Sequence, residues 1–183
     1  MQMIQTMVIT GYRNFELGVF KEEDAKVKVI KKVIKDTLVQ YLDAGLQWVL
    51  LAGNLGVELW SAQIIDELKK TYPVLKLALI YPYYSFGKQW NEKNQALLQS
   101  IENQADYVDA VSHHEYQNPG QLKSHTHFLL THSQATVILY DEEFPGKSKF
   151  FMHDAKKYQE EHDYFIHQIT MDDLQNAVFD DSV

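Results

Sequence analysis

Cysteine is absent from the 183-residue chain, and arginine occurs only once, as Arg13. The lack of cysteine excludes disulfide bonds, a thiol nucleophile and a thiolate metal site, and it is typical of a cytoplasmic protein. No apolar run approaches the roughly 18 residues of a membrane span. The N-terminal "MQMIQTMVITGYR" lacks the basic segment and the cleavage site of a signal peptide. We therefore expect a cytoplasmic protein with no membrane partner.

Positive charge is also scarce. The chain has 17 basic and 25 acidic residues, for a formal net charge of -8. Salt-dependent binding of nucleic acid needs a basic face, so we do not expect nucleic acid to be a partner. The position of Arg13 is informative because arginine is suited to bidentate capture of phosphate. The length predicts one domain, residues 1–183, with a sizeable core.

Short apolar runs alternate with helical patterns along the whole chain. Strands are predicted at residues 7–10, 47–53, 75–82, 106–112, 135–141 and 164–170, and helices at 24–44, 57–72, 90–104, 120–132, 149–161 and 171–178. Buried strands separated by helices are typical of a parallel sheet that is covered on both faces. The pattern predicts an α/β fold, a Rossmann-like three-layer α/β/α sandwich with a mostly parallel sheet of about six strands.

Ligands of open parallel sheets bind beyond the carboxyl ends of the strands, where the strand order reverses. The residues that follow the first two predicted strands are Gly11, Tyr12, Arg13, Gly53, Asn54, Leu55, Gly56 and Glu58. Glycine allows backbone N–H groups to approach a ligand, and the next helix presents its positive end. We expect a phosphate between Arg13 and the N–H groups of residues 54–57, with Glu58 near sugar hydroxyls or a reacting centre. The alternative is a glycine-bracketed turn that binds nothing.

Two nucleotide-binding motifs are missing. The first strand is not followed by G-x-G-x-x-G, and "PGKSKF" lacks the earlier glycine of a Walker A sequence. The sequence therefore disfavours a classical NAD dehydrogenase and a P-loop NTPase.

Three later loops supply further candidate ligand contacts. Tyr83, Tyr84 and Phe86 follow the third strand, and we expect one of these rings to reach the pocket, while others cover the core. His113 or His114 follows the fourth strand as a ligand contact or general acid/base, or as a surface histidine. Gly146, Lys147 and Ser148 open the helix after the fifth strand, where they contact phosphate or cap the helix. Since no metal-ligand spacing occurs, we predict no metal site.

An ordered series of motifs resembles the YpsA family of Gram-positive bacteria. It includes "ITGYRNFELGVF", "LLAGNLGVELWSAQ", "YPYYSFGKQWNEKNQ", "SHHEYQNPGQLKSH" and "LYDEEFPGKSKFFMHDA". That family belongs to the SLOG superfamily, a Rossmann-like group that includes DprA and the LOG or lysine decarboxylase-like enzymes. The resemblance implies a nucleotide-type pocket at Gly11, Arg13, Gly53, Asn54, Gly56 and Glu58. The P-G-G-x-G-T loop of LOG enzymes is absent from this sequence.

Three functions are consistent with these patterns. The leading hypothesis is a binding module or sensor for a nucleotide-derived small molecule, such as an ADP-ribose, NAD or nucleotide-like ligand, with no certain cofactor. The alternative is a hydrolase of a nucleotide's N-glycosidic or phosphate bond, with Glu58 as the catalytic carboxylate and Arg13 as the phosphate anchor. The third is a protein-interaction factor linked to cell division, as the resemblance suggests, with a homodimer as a further option. The support for this third hypothesis in the sequence is the acidic surface and the "VFDDSV" tail.

Overall fold

A computed structural model describes residues 2–180. The strands are β1 (Thr6–Gly11), β2 (Trp48–Leu51), β3 (Lys76–Tyr83), β4 (Tyr107–Ser112), β5 (Ala135–Leu139) and β6 (Phe165–Ile169). The helices are α1 (Ala25–Asp43), α2 (Val57–Leu68), α3 (Glu92–Gln104), α4 (Gly120–Thr131), α5 (Ser148–Glu161) and α6 (Met171–Asp180). A short 3-10 helix, Asn14–Leu17, follows β1.

The strands form one sheet of six, in the order β4-β3-β2-β1-β5-β6, and every neighbouring pair is parallel. The predicted Rossmann-like α/β fold and the number of strands are confirmed. β1 pairs with β2 on one side and with β5 on the other, so the strand order reverses between β1 and β5. The loops that leave these two strands therefore diverge and leave a crevice between them.

Apolar side chains cover both faces of the sheet, which explains the continuous apolar runs in its central strands. On one face, α1 and α2 pack on the sheet through a large cluster that includes Ile34, Leu38 and Ile65. On the other face, Leu129 of α4 packs against Val8, Leu50, Ala78 and Ile80. This second face carries the candidate site.

The predicted boundaries agree with the structure to within a few residues. One difference concerns Gly11, which the sequence places in the turn but which is the last residue of β1. The last helix continues to Asp180, so part of the "VFDDSV" tail, residues 181–183, lies outside the described residues. In the described part of the chain, no helix combines the length and the apolar character that a membrane crossing requires.

Candidate functional site

A cleft of about 410 Å³ opens at the carboxyl ends of the central strands, at the reversal of strand order. Its floor is formed by β1, by the loop after β2 and by the end of β3, and its walls are formed by α4 and by the start of α5. The polar residues that line it are Thr10, Arg13, Asn54, Glu58, His125, Thr126, Lys147 and Ser148. Its aromatic residues are Phe86, Phe150 and Phe151.

Glu58 is the buried carboxylate of this cleft, with only 2% of its surface exposed. Its Oε1 accepts hydrogen bonds from the backbone N–H groups of Ala52 (2.8 Å) and Gly53 (3.2 Å). Its Oε2 accepts from Thr10 Oγ1 (3.1 Å) and Asn54 Nδ2 (2.8 Å). Four donors, one from β1 and three from the loop after β2, compensate the cost of burying this group. The carboxylate therefore holds the end of β1 and the loop after β2 to the first turn of α2.

The two glycines of the loop after β2 are required by packing. Gly56 has φ +90°, and a Cβ there would lie 2.5 Å from the carbonyl oxygen of Tyr12 and 2.6 Å from the nitrogen of Asn14. Gly53 has φ +95°, and its Cβ would lie 2.9 Å from a ring carbon of Tyr81. These glycines, with Leu55, are outside the cleft lining. Gly56 allows the loop after β1 to lie directly against the start of α2, and Gly53 allows the loop after β2 to pack on Tyr81.

The predicted phosphate cradle of residues 54–57 is only partly available. The N–H of Val57 donates to the carbonyl oxygen of Tyr12 at 3.0 Å, and the N–H groups of Ala52 and Gly53 are bound to Glu58. Among residues 2–180, the N–H groups of Asn54, Leu55 and Gly56 have no hydrogen-bond partner. An anion at the start of α2 would meet those groups and not the N–H of Val57.

Arg13 lies at the carboxyl edge of the sheet and lines the cleft, where the sequence places it. Its Nη1 donates to the carbonyl oxygen of Gly11 at 3.1 Å. Within the described residues, no carboxylate forms a salt bridge with its guanidinium. Its remaining N–H groups can therefore serve an anion in the cleft.

The loops after β1 and β5 are tied together by two side chains. Glu16 accepts hydrogen bonds from the backbone N–H of Arg13 (2.7 Å) and from that of Lys147 (2.8 Å). The buried hydroxyl of Tyr12 accepts from the N–H of Asp141 (2.8 Å) and donates to the carbonyl oxygen of Phe144 (2.8 Å). Tyr12 thus connects the loops and does not line the cleft. The two bridges place the cations of Arg13 and Lys147 at the same opening.

Glycine and serine residues allow these loops to approach closely. A Cβ at Gly146 would collide with the carboxylate of Glu16, and one at Gly11 would lie 2.9 Å from Val57 Cγ1. The buried hydroxyl of Ser148 donates to the carbonyl oxygen of Gly11 at 2.7 Å. This bond differs from both roles that the sequence leaves open for Ser148, a phosphate contact and a helix cap. Gly11 and Gly146 lie outside the cleft lining.

The aromatic loop after β3 is divided between the cleft and the surface. Phe86 is the ring that lines the cleft, as the sequence predicts for one member of this group. Tyr83 packs on Phe86 and on Tyr116. Tyr84 stacks on His113 with ring centres 5.2 Å apart. The side chain of His113 is 60% exposed and lies outside the cleft lining, which favours the surface-histidine interpretation.

Several lining residues are absent from the sequence-based candidates, above all His125 of α4. Only 7% of its surface is exposed, and its Nε2 lies 2.6 Å from the carbonyl oxygen of Ile80 in β3. Burial lowers the pKa of this histidine from 6.5 to about 4. Helical periodicity would place His125 on the apolar face with Leu129, but it does not indicate that this face borders a cleft. Among residues 2–180, no group of three acidic or histidine side chains is arranged to hold a metal ion.

Comparison with known proteins identifies the relatives of this chain. The profile of the YpsA family, described as the YspA SLOG family, matches residues 7–174. A UPF0398 protein of Enterococcus faecalis is 52% identical over 98% of this chain and 100% of its own length. The UPF0398 protein YpsA of Bacillus subtilis is 42% identical over 98% of this chain and 99% of its own length.

A solved structure with a similar fold is DNA processing protein A from Helicobacter pylori, which binds single-stranded DNA. Its TM-score is 0.55 at 15% sequence identity, and the match covers 97% of this chain and 73% of that one. At this identity the likeness shows a shared fold. It lends no support to the expectation that nucleic acid is not a partner, which stays a prediction.

Proposed function

The chain belongs to the YpsA family of SLOG proteins, and from that premise we propose that it binds a small, phosphorylated, nucleotide-derived molecule in the cleft between β1 and β5. One observation carries the proposal. Arg13 and Lys147, from the loops on the two sides of the strand reversal, line the same cleft, and Glu16 binds the backbone of both. In a chain with a net charge of -8, two cationic side chains that line one opening favour the binding of an anion there.

The rest of the cleft is suited to the remainder of such a ligand. Phe86, Phe150 and Phe151 provide faces on which a base can stack. Phe150 is 66% exposed although it lines the cleft, so its ring can adjust to a ligand at little cost in packing. The volume of about 410 Å³ lies within the usual range for small-molecule sites. The proposed ligand class is a nucleoside phosphate or an ADP-ribose-like molecule.

We assign Glu58 to the architecture of the site and not to bond cleavage. A general acid or base must reach the reacting atom of a substrate, whereas both carboxylate oxygens of Glu58 are already engaged by two donors each. We therefore expect binding without hydrolysis. Incubation with nucleoside monophosphates should yield no free base by chromatography. Base release that is abolished by Glu58→Gln, with binding preserved, would make the protein a hydrolase.

Isothermal titration with AMP, ADP, ADP-ribose and NAD tests the binding proposal. At least one should bind, and the matching nucleoside without phosphate should bind more weakly. Arg13→Lys should weaken binding by about 1–3 kcal/mol because lysine lacks the bidentate geometry of the guanidinium. Lys28→Arg, the reverse conservative exchange at an exposed position on α1, is the matched control and should have no effect. The proposal fails if no ligand binds at millimolar concentration, or if the control weakens binding equally.

A further inference from the structure

His125 presents one fixed hydrogen-bonding pattern to the cleft. Its Nε2 lies 2.6 Å from the carbonyl oxygen of Ile80. A carbonyl oxygen can only accept, so Nε2 carries the hydrogen and donates it. In a neutral imidazole with hydrogen on Nε2, the other ring nitrogen, Nδ1, has a lone pair and can only accept. The bond to β3 thus determines the tautomer of the ring.

The acceptor Nδ1 remains free. No hydrogen bond to Nδ1 is present among residues 2–180. In that part of the chain, Asn14 Oδ1 and Gln104 Oε1 are the side-chain polar atoms that are both buried and unpartnered. Nδ1 is therefore in reach of solvent, and the space that His125 borders is the cleft. Only 7% of the surface of His125 is exposed, and Nδ1 is available to accept a hydrogen bond from a ligand in the cleft.

Burial also preserves this pattern at physiological pH. Desolvation lowers the pKa of His125 to about 4, although the bond to Ile80 acts in the opposite direction. The ring is therefore neutral at pH 7, and Nδ1 keeps its lone pair. A protonated ring at this position would instead present two donors and would favour an anion.

The surroundings of His125 differ from those of the cations. Leu122 and Leu129, one turn before and one turn after it on α4, line the same part of the cleft with apolar surface. His125 is anchored to β3, whereas Ser148, next to Lys147, is anchored to Gly11 of β1. With β2 between them, these anchors are roughly 10 Å apart, two strand spacings. The cleft thus has a cationic end and a more apolar end, at which Nδ1 of His125 is a hydrogen-bond acceptor.

We propose that His125 determines ligand specificity, with Nδ1 accepting a hydrogen bond from an amino group on the base of a nucleotide whose phosphate lies near Arg13 and Lys147. This inference rests on the nucleotide-binding function proposed above and narrows it to amino-bearing bases of the adenine or cytosine type. An oxo group at the same position of the base would oppose its own lone pair to that of Nδ1 and would be rejected.

Titration calorimetry of two ligand pairs tests this inference. AMP is compared with purine riboside 5′-monophosphate, which lacks the amino group, and CMP is compared with UMP, in which an oxo group replaces it. In at least one pair, we expect the wild-type protein to bind the amino-bearing member about tenfold more tightly, as one hydrogen bond allows. This comparison needs no substitution, so it does not depend on the folding of a variant.

His125→Gln assigns the effect to the histidine. The glutamine amide can still donate to the carbonyl oxygen of Ile80 but does not reproduce the acceptor at Nδ1. The tenfold preference should disappear in this variant and persist in His127→Gln, an exposed position on the same helix. Arg13→Lys should weaken both members of a pair by the same factor, because it acts on the phosphate.

The outcomes separate the two proposals. Equal affinity within both pairs, or a preference that survives in His125→Gln, overturns the role of His125 while nucleotide binding stands. A loss of affinity for 2′-deoxy-AMP without any preference for the amino group would assign the contact to the sugar and would also overturn it. If no nucleotide binds to the wild-type protein, both proposals fail.

Discussion

At the scale of single residues, the hydrogen bonds of Glu58 connect three segments of the chain. They join β1 and the loop after β2 to α2 through two backbone and two side-chain donors. A buried carboxylate with this number of donors is stabilised where it lies, and each donor depends on it in return. Glu58 therefore both lines the cleft and joins the segments of the chain that form it.

Replacing Glu58 with glutamine should destabilise the fold. In glutamine an N–H₂ group replaces one of the two carboxylate oxygens. Because N–H₂ cannot accept a hydrogen bond, at least one of the four buried donors would be left unsatisfied. We expect the free energy of unfolding to fall by about 2 kcal/mol in urea denaturation. Glu67→Gln, on the same helix but at an exposed pair with Lys35, should have little effect. Equal stability of Glu58→Gln and the wild type would contradict this account of the carboxylate.

The lowered pKa of His125 predicts a dependence of stability on pH. The folded protein keeps this ring neutral down to a pKa of about 4, whereas the unfolded chain protonates it near 6.5. Between these values the unfolded state binds more protons, so stability decreases as pH falls from about 6.5 to 4 and His125 adds no further loss below that. The full effect corresponds to about 3 kcal/mol.

Urea denaturation at a series of pH values from 7.5 to 4 measures the loss of the free energy of unfolding on acidification. The loss is compared between the wild type and two histidine variants. Wild type and His127→Gln should lose stability in parallel on acidification. His125→Gln should lose less, because other groups titrate in all three proteins but the buried imidazole is missing from this one. Parallel curves for all three proteins would show that His125 is not held neutral.

At the scale of structural elements, the contact between the loop after β1 and the start of α2 depends on Gly56. The carbonyl oxygen of Tyr12 accepts from the N–H of Val57 at 3.0 Å, and the two backbones are too close for a Cβ at Gly56. This contact positions the loop that contains Arg13, so Gly56 affects the site by fixing the position of that loop.

Gly56→Ala should therefore be more destabilising than an ordinary glycine substitution. Both Gly56 and Gly18 have positive φ, but a Cβ at Gly18 would have no heavy atom within 4 Å. Gly18→Ala thus measures backbone strain alone, about 1 kcal/mol, and Gly56→Ala adds a backbone collision, for a total of about 3 kcal/mol. Thermal unfolding compares the two variants. If they are equally stable, the proposed close contact is wrong.

The order and type of the elements could be predicted from the sequence because apolar periodicity reflects burial directly. The position of Arg13 at the cleft followed from strand ends, which are also local features. The strand order β4-β3-β2-β1-β5-β6 could not be derived, because it depends on contacts between distant segments. The same applies to the partners of Glu58, the bridge by Glu16 and the border of the cleft at His125. Each of these features joins residues that are far apart in the sequence, whereas apolar periodicity reports only on residues within one element.

At the scale of the whole molecule, two cationic side chains line the cleft although the chain has a net charge of -8. A small anion can enter the opening between Arg13 and Lys147, whereas a long polyanion would also interact with the rest of a protein whose net charge is negative. The fold shared with a protein that binds single-stranded DNA therefore does not imply the same ligand here.

Fluorescence anisotropy with a labelled single-stranded oligonucleotide tests this expectation. At about 150 mM salt we expect a dissociation constant weaker than about 10⁻⁴ M, the weak limit of non-specific DNA binding. Binding in the micromolar range that weakens steeply with added salt would contradict the prediction and would indicate a nucleic-acid interface.

A crystal structure of the protein with bound AMP tests most directly whether the cleft between β1 and β5 is a nucleotide site. We expect the phosphate within hydrogen-bond distance of Arg13 and Lys147, and the amino group of adenine at Nδ1 of His125. Glu58 should keep its four donors. AMP bound elsewhere on the protein, with the cleft left empty, would contradict this assignment.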